Sequence, residues 1–142
     1  MATAAQVVLD WAARLDAGDL DGSGELVTDD VVWANPVATV HGRHELRGLL
    51  DVFWTAVPDF RHDVSDVVES GDLVALRGTA TGTHTGPLAG PAGEVPASGN
   101  AISFPFAAWA RVEGGKISEF RGYWDAMGFM AQVGALPAPA AA

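Results

Sequence analysis

The sequence predicts an α+β fold in which N-terminal helices pack against a strongly curved antiparallel sheet, making a cone with one interior pocket. Three observations lead there. Residues up to Pro58 carry apolar side chains at helical spacing, those after it switch to strand-like alternation, and 142 residues suffice for one domain but not for two of ordinary size. Apolar residues make up 49% and charged residues 18%, with five Trp and six Phe, so the chain can bury a core. Residues 1–136 are expected to form a single domain, with the Pro/Ala-rich stretch 137–142 a disordered tail.

The first helix opens on a capping box, Thr3 with Gln6, and Ala5, Val8, Leu9, Ala12 and Leu15 then recur at helical spacing as far as Gly18. A short second helix fits between Asp19 and Val27, broken by Gly22 and Gly24. Val31, Val32 and Trp33 form a strand-like run that Asn35-Pro36 ends. Across 43–57, Leu46, Leu49, Leu50, Phe53 and Val57 mark one helical stripe, and Pro58 stops it because the residue before a proline avoids the α region. The segments 60–68 and 73–85 read as a hairpin around Ser70-Gly71-Asp72. The segments 102–112 and 116–125 repeat the arrangement across Glu113-Gly114-Gly115 and lead into a short helix near 127–133. The Gly/Pro-rich stretch 86–99 shows no periodicity and reads as a long loop or lid.

Composition excludes several classes of function. The net charge is −10, from 18 acidic against 8 basic residues, and no basic cluster exists to hold nucleic acid or an anionic membrane. Without cysteine there is no thiolate metal site and no cysteine nucleophile. His41 and His44 lack a carboxylate ligand at zinc-site spacing, so no metal is expected. No glycine pattern of a nucleotide site appears, and no nucleotide cofactor is expected. No run approaches the roughly 18 apolar residues of a membrane span. The N-terminal stretch lacks a basic region and carries Asp10 within its apolar run, which predicts a cytoplasmic, soluble protein. One Lys against seven Arg, with abundant Ala and Gly, suggests a GC-rich bacterial genome.

Alternation along the last strand puts Arg121, Tyr123 and Asp125 on one face and Phe120, Gly122 and Trp124 on the other. Tyr123 could donate a hydrogen bond to a developing enolate, or be a core aromatic. Trp33 and Asn35 share a face of the first strand, where the indole can wall a flat ligand and the amide can orient a carbonyl or simply form the turn before Pro36. Arg77 suits an anionic or enolate ligand, or a salt bridge. Trp54 and Trp109 are candidate ligand walls or ordinary core, and Arg121 a candidate ligand contact. His62, early in its strand, could reach the cavity mouth. His84 is read as structural.

Four segments carry a resemblance to a known family: VVWANP at 31–36, PDF at 58–60, GTATGTHTGP at 78–87, and RVEGGKISE at 111–119 leading to YWD at 123–125. In order and spacing, over nearly the whole chain, the sequence resembles the SnoaL-like polyketide cyclases of the NTF2-like superfamily. The resemblance implies an NTF2-like cone and a cofactor-free cavity, in which an Asp on the last strand acts as acid and base on an activated C–H. That position matches Asp125. It implies a cyclase or isomerase (lyase or isomerase class) acting on a small hydrophobic, polyketide-derived molecule, with Asp125 as the acid and base; from the reading of the residues themselves, Tyr123 and Asn35 join it as candidate catalytic groups and Trp33, Trp54, Arg77, Trp109 and Arg121 as candidate ligand contacts. An epoxide hydrolase of the same fold, with Asn35 and Asp125 holding a water, and a non-catalytic ligand-binding or dimerisation module are the alternatives. If Asp125 points inward, Phe120 and Trp124 lie outside, and a homodimer is expected through that apolar face.

Overall fold

The computed structural model describes residues 2–90 and 93–136. The tail expected at 137–142 lies outside the described residues.

Helix α1 (Ala4–Asp16) starts at the expected capping box. The Thr3 hydroxyl accepts from the Gln6 N–H, and the Gln6 side chain accepts from the Thr3 N–H at 2.8 Å. Its buried stripe is Val7, Val8, Trp11 and Leu15. Gly18 ends it in the left-handed region, φ +77°, which lets the Asp19 N–H turn back onto the Arg14 carbonyl. Asp19 then caps α2 (Leu20–Gly24) through the Gly22 N–H. Strand β1 (Val27–Ala34) turns at Asn35 into β2 (Thr39–His41), and α3 (Gly42–Ala56) runs until Pro58 forbids a further turn. Two long hairpins follow the expected lines: β3 (Arg61–Ser70) with β4 (Leu73–Thr83), and β7 (Ala101–Glu113) with β8 (Lys116–Trp124). Helix α4 (Ala126–Gln132) closes the fold.

The stretch 86–99, read from sequence as a loop, contains a small hairpin of β5 (Leu88–Gly90) and β6 (Gly93–Val95). Three residues per strand are too few for alternation to be visible. What holds the hairpin is Leu88, buried in the cluster formed with Phe60, Phe104 and Phe129. Strand β2, of the same length, was equally invisible.

The main sheet has the order β2-β1-β8-β7-β4-β3; β1 and β8 run parallel and every other pair antiparallel. Its concave face curls around α1 and α3. One part of the core joins α1 to β1 and β8 through Trp11, Trp33 and Phe120, and the other joins the end of α3 to α4 through Phe60, Phe104 and Phe129. The curl is tightened where the β3–β4 register shifts between Val64 and Asp66, a bulge opposite Gly78.

At Gly78 a Cβ would overlap the Asp63 carbonyl, and backbone cannot give way as a side chain tip can. Gly78→Ala is therefore expected to lower unfolding stability by about 1–3 kcal/mol, read as a fall in the urea midpoint with an unchanged slope. An unaltered midpoint would show that the bulge is not the tight point.

Candidate active site

Between α1, α3 and the concave face lies a cavity of about 120 Å³. Its walls are aromatic. Trp33 and Phe120 stack with ring centroids 3.8 Å apart and planes 4° from parallel, and Trp11 tilts against both. Trp54, Phe104 and Trp124 wall the other end. Apart from the indoles, the polar side chains in the lining are Asn35 and His62.

His62 sits on β3 facing inward with Phe60 and Val64, and its ring lies near Trp54, Phe60 and Phe106. Asp16, the last residue of α1, reaches it twice. One carboxylate oxygen accepts the His62 backbone N–H at 3.0 Å and the other lies 2.7 Å from Nδ1. An ionised carboxylate can only accept, so Nδ1 carries a proton, and in the neutral form of the ring the lone pair lies on Nε2. Nε2 makes no hydrogen bond among the described residues. The His62 and Asp16 side chains are 23% and 25% exposed, wet enough to exchange protons yet held by aromatic neighbours. An imidazole held through one nitrogen by a carboxylate has the geometry that general acid–base catalysis uses.

The residues picked out from sequence divide between inside and outside. Trp33 and Trp54 line the cavity, and the Trp54 indole N–H is fixed to the Leu15 carbonyl at 3.0 Å. Asn35 lines it too, but its Oδ1 accepts the Val37 and Ala38 N–H groups at 2.9 and 3.0 Å, so the turn-forming reading holds for that atom and only Nδ2 is left to face a ligand.

The expectation that Asp125 is a buried acid in the cavity is corrected by the structure. Asp125 is exposed and caps α4, accepting the Gly128 N–H at 2.9 Å. The alternation along β8 was read correctly, but the inward face was inverted: Phe120, Gly122 and Trp124 line the cavity, while Arg121 and Tyr123 point out. Burying two aromatic rings is favourable and burying a guanidinium is not, which sets the direction. Tyr123 is 55% exposed and Arg121 bonds Glu119. Arg77 and Trp109 are outside as well: Arg77 pairs with Asp66 at 2.6 Å, and Trp109 is 52% exposed on the convex side of β7, opposite Phe104 and Phe106. The expected outward face of Phe120 and Trp124 is thus the inner one.

His84 is fully buried; its Nδ1 accepts the Ser98 N–H and lies 2.8 Å from the Ser98 hydroxyl, outside the cavity lining. Trp11, by contrast with Trp54, keeps a buried indole N–H with no acceptor, an arrangement that costs about 1–3 kcal/mol. Among the described residues no three His, Cys, Asp or Glu side chains gather as metal ligands.

Sequence reasoning missed Asp16 altogether and left His62 open. Phe60 and Val64 flank His62 at strand spacing, and that alternation was the available signal for its inward face. Nothing local connects it to Asp16, which is 46 residues away.

A family model, the SnoaL-like polyketide cyclases, matches residues 5–133. Among solved structures, AclR of Streptomyces galilaeus, a proposed hydroxylase, is 25% identical with a TM-score of 0.80, covering 95% of this chain and 83% of its own. IdmH of Streptomyces antibioticus, a proposed polyketide cyclase, is 26% identical with a TM-score of 0.78, covering 94% and 99%. An NTF2-like protein of Burkholderia pseudomallei, at 20% identity and a TM-score of 0.78 over 94% of this chain and 98% of its own, shares the fold. No curated protein matches the sequence. With the helix-filled cone in place and the family model spanning α1 to the end of α4, the chain belongs to the SnoaL-like polyketide cyclase family.

Proposed function

We propose that this protein is a cofactor-free cyclase or isomerase for a small hydrophobic, polyketide-type ligand, with His62 rather than Asp125 moving the proton. The observation that carries the reading is the His62 side chain, which lines an aromatic cavity and is held through Nδ1 by Asp16. In this scheme Nε2 takes a proton from a carbon flanked by two carbonyls. The enolate carbon attacks a carbonyl carbon of the same ligand, a C–C bond forms, and the new alkoxide recovers the proton from the imidazolium. Asp16 faces the imidazolium while it lasts, and the aromatic walls hold the two reacting carbons close and dry. Asn35 Nδ2 is the side-chain donor available to the carbonyl oxygen. An epoxide-opening reading would need Asn35 and Asp125 to share a water, and the capping role of Asp125 disfavours it.

We further propose a homodimer through the convex face, where Trp109 and Tyr123 lie exposed on paired strands, Tyr123 opposite Ala107 and Trp109 opposite Arg121, with Arg77 on the far side of Ala107. No helix among the described residues is long and apolar enough to cross a membrane. A bacterial cytoplasm remains the expected setting.

Assayed on poly-β-carbonyl esters, His62→Ala should lose about 10²–10⁴-fold in kcat, whereas Asp125→Asn, which keeps a good helix cap, should retain both turnover and fold. The reverse pattern would return the base to Asp125. A wild-type protein that binds such esters without turning them over would make it a binding module. Nitrogen-15 NMR should find neutral His62 as the Nδ1–H tautomer, with Asp16→Ala releasing it to a mixture; a predominant Nε2–H form in the wild type would contradict the dyad. Sedimentation should give a dimer that Trp109→Glu converts to monomer, and a monomeric wild type would remove the convex interface.

A further inference from the structure

We infer that Trp54 is a positioning residue for the Asp16–His62 pair: its indole N–H holds the peptide group that leads into Asp16, and its ring lies alongside the imidazole. The inference rests on the reading of His62 as the base.

The end of α1 needs such a hold. The last four carbonyls of a helix have no partner within it, and helix ends fray. At α1 the Ala13 carbonyl accepts the Ala17 N–H and the Arg14 carbonyl accepts the Asp19 N–H, so the chain turning at Gly18 satisfies both. The Leu15 carbonyl takes the Gly18 N–H at 2.9 Å and, as a second donor, the Trp54 indole N–H at 3.0 Å, which comes from α3, 39 residues away. The Leu15 carbonyl and the Asp16 N–H belong to one peptide group, which is planar and resists twisting. Two donors on that oxygen, one local and one from another element, therefore hold the plane from which Asp16 continues.

Asp16 has reason to leave without it. The side chain is a quarter exposed and stands at the negative end of the helix dipole, so water competes with His62 for the carboxylate. Both of its bonds to His62, the backbone N–H at 3.0 Å and Nδ1 at 2.7 Å, depend on where the last turn of α1 lies. The same side chain bears on the second member of the pair. The Trp54 ring is 20° from parallel with the imidazole at a centroid distance of 6.1 Å, Phe60 lies at 6.0 Å and 27°, and Phe106 meets the ring edge-on at 5.5 Å. Of these three neighbours Trp54 alone has a polar atom, and that atom is engaged by α1.

Nitrogen-15 NMR of His62 in the full chain, without ligand, reads the effect. Trp54→Phe keeps an aromatic ring and removes the N–H, and should turn the predominant Nδ1–H tautomer into a mixture, as Asp16→Ala does. Trp33→Phe removes the same amount of ring from the same cavity, where Trp33 stacks on Phe120, and should leave the tautomer as it is. Should Trp54→Phe not fold, β-(3-benzothienyl)alanine at position 54, of the same shape with sulfur for the N–H, makes the same removal. On poly-β-carbonyl esters the Trp54 variant should lose roughly ten- to a hundredfold in kcat, the scale of a displaced catalytic group, with KM little changed, since the missing bond orients the base and does not bind ligand. An Nδ1–H form that survives in the Trp54 variants, or is lost equally in Trp33→Phe, would overturn the inference and leave His62 as the base. A raised KM with unchanged kcat would do the same, making Trp54 a ligand wall only. A wild type inert on the esters would end the reading of His62 as the base, and the tautomer in the Trp54 variants would still decide whether Trp54 holds the pair.

Discussion

Phe120 and Trp124 leave water on the concave side of β8 at a gain of about 1.5–3 kcal/mol for each side chain of this size, and Gly122 lies between them. A Cβ at Gly122 would already stand 3.4 Å from the Phe120 ring, so the missing side chain is part of what keeps the cavity open. Once these three face inward, the rest of the strand has no choice. Arg121 and Tyr123 face solvent, and Asp125, one residue past the end of the strand, meets the first turn of α4 and caps it. Cavity, outer face and helix cap are consequences of one burial decision.

That decision also explains how far the sequence could be read. The order of the long elements was legible because each carries a strong local signal: the Thr3–Gln6 box, the stop at Pro58, the glycine turns at Gly71 and Gly114. Strands β2, β5 and β6 were not legible, since three residues show no period and pairing or burial at a distance holds them. At the site, alternation divides β8 into two faces without saying which is inside. The family likeness favoured the face with Asp125, and the weight of two aromatic rings pointed the other way. His62 could have been placed by its apolar neighbours Phe60 and Val64, but its partner Asp16 lies on another element and is joined to it only by the packing of α1 on β3.

The Asp16–His62 pair has its own logic. A carboxylate at the C-terminal end of a helix faces the negative pole of the helix dipole, an unfavourable place for it. Two donors from β3, the His62 backbone N–H and Nδ1–H, offset that cost and bind the end of α1 to the edge of the sheet. The same surroundings suit a transient positive charge on the ring, which would be met by Asp16 and by the helix end together. A contact that secures the first helix therefore also favours the Nδ1–H form of the His62 ring, the form the proposed proton transfer needs.

Two tryptophans show the opposite side of this economy. Trp54 has its indole N–H satisfied and behaves as fixed wall, whereas Trp11 is buried among Trp33 and Phe120 with its N–H unmet. A core selected for stability alone would replace Trp11 with an apolar ring or provide an acceptor, because an orphaned donor is a standing cost.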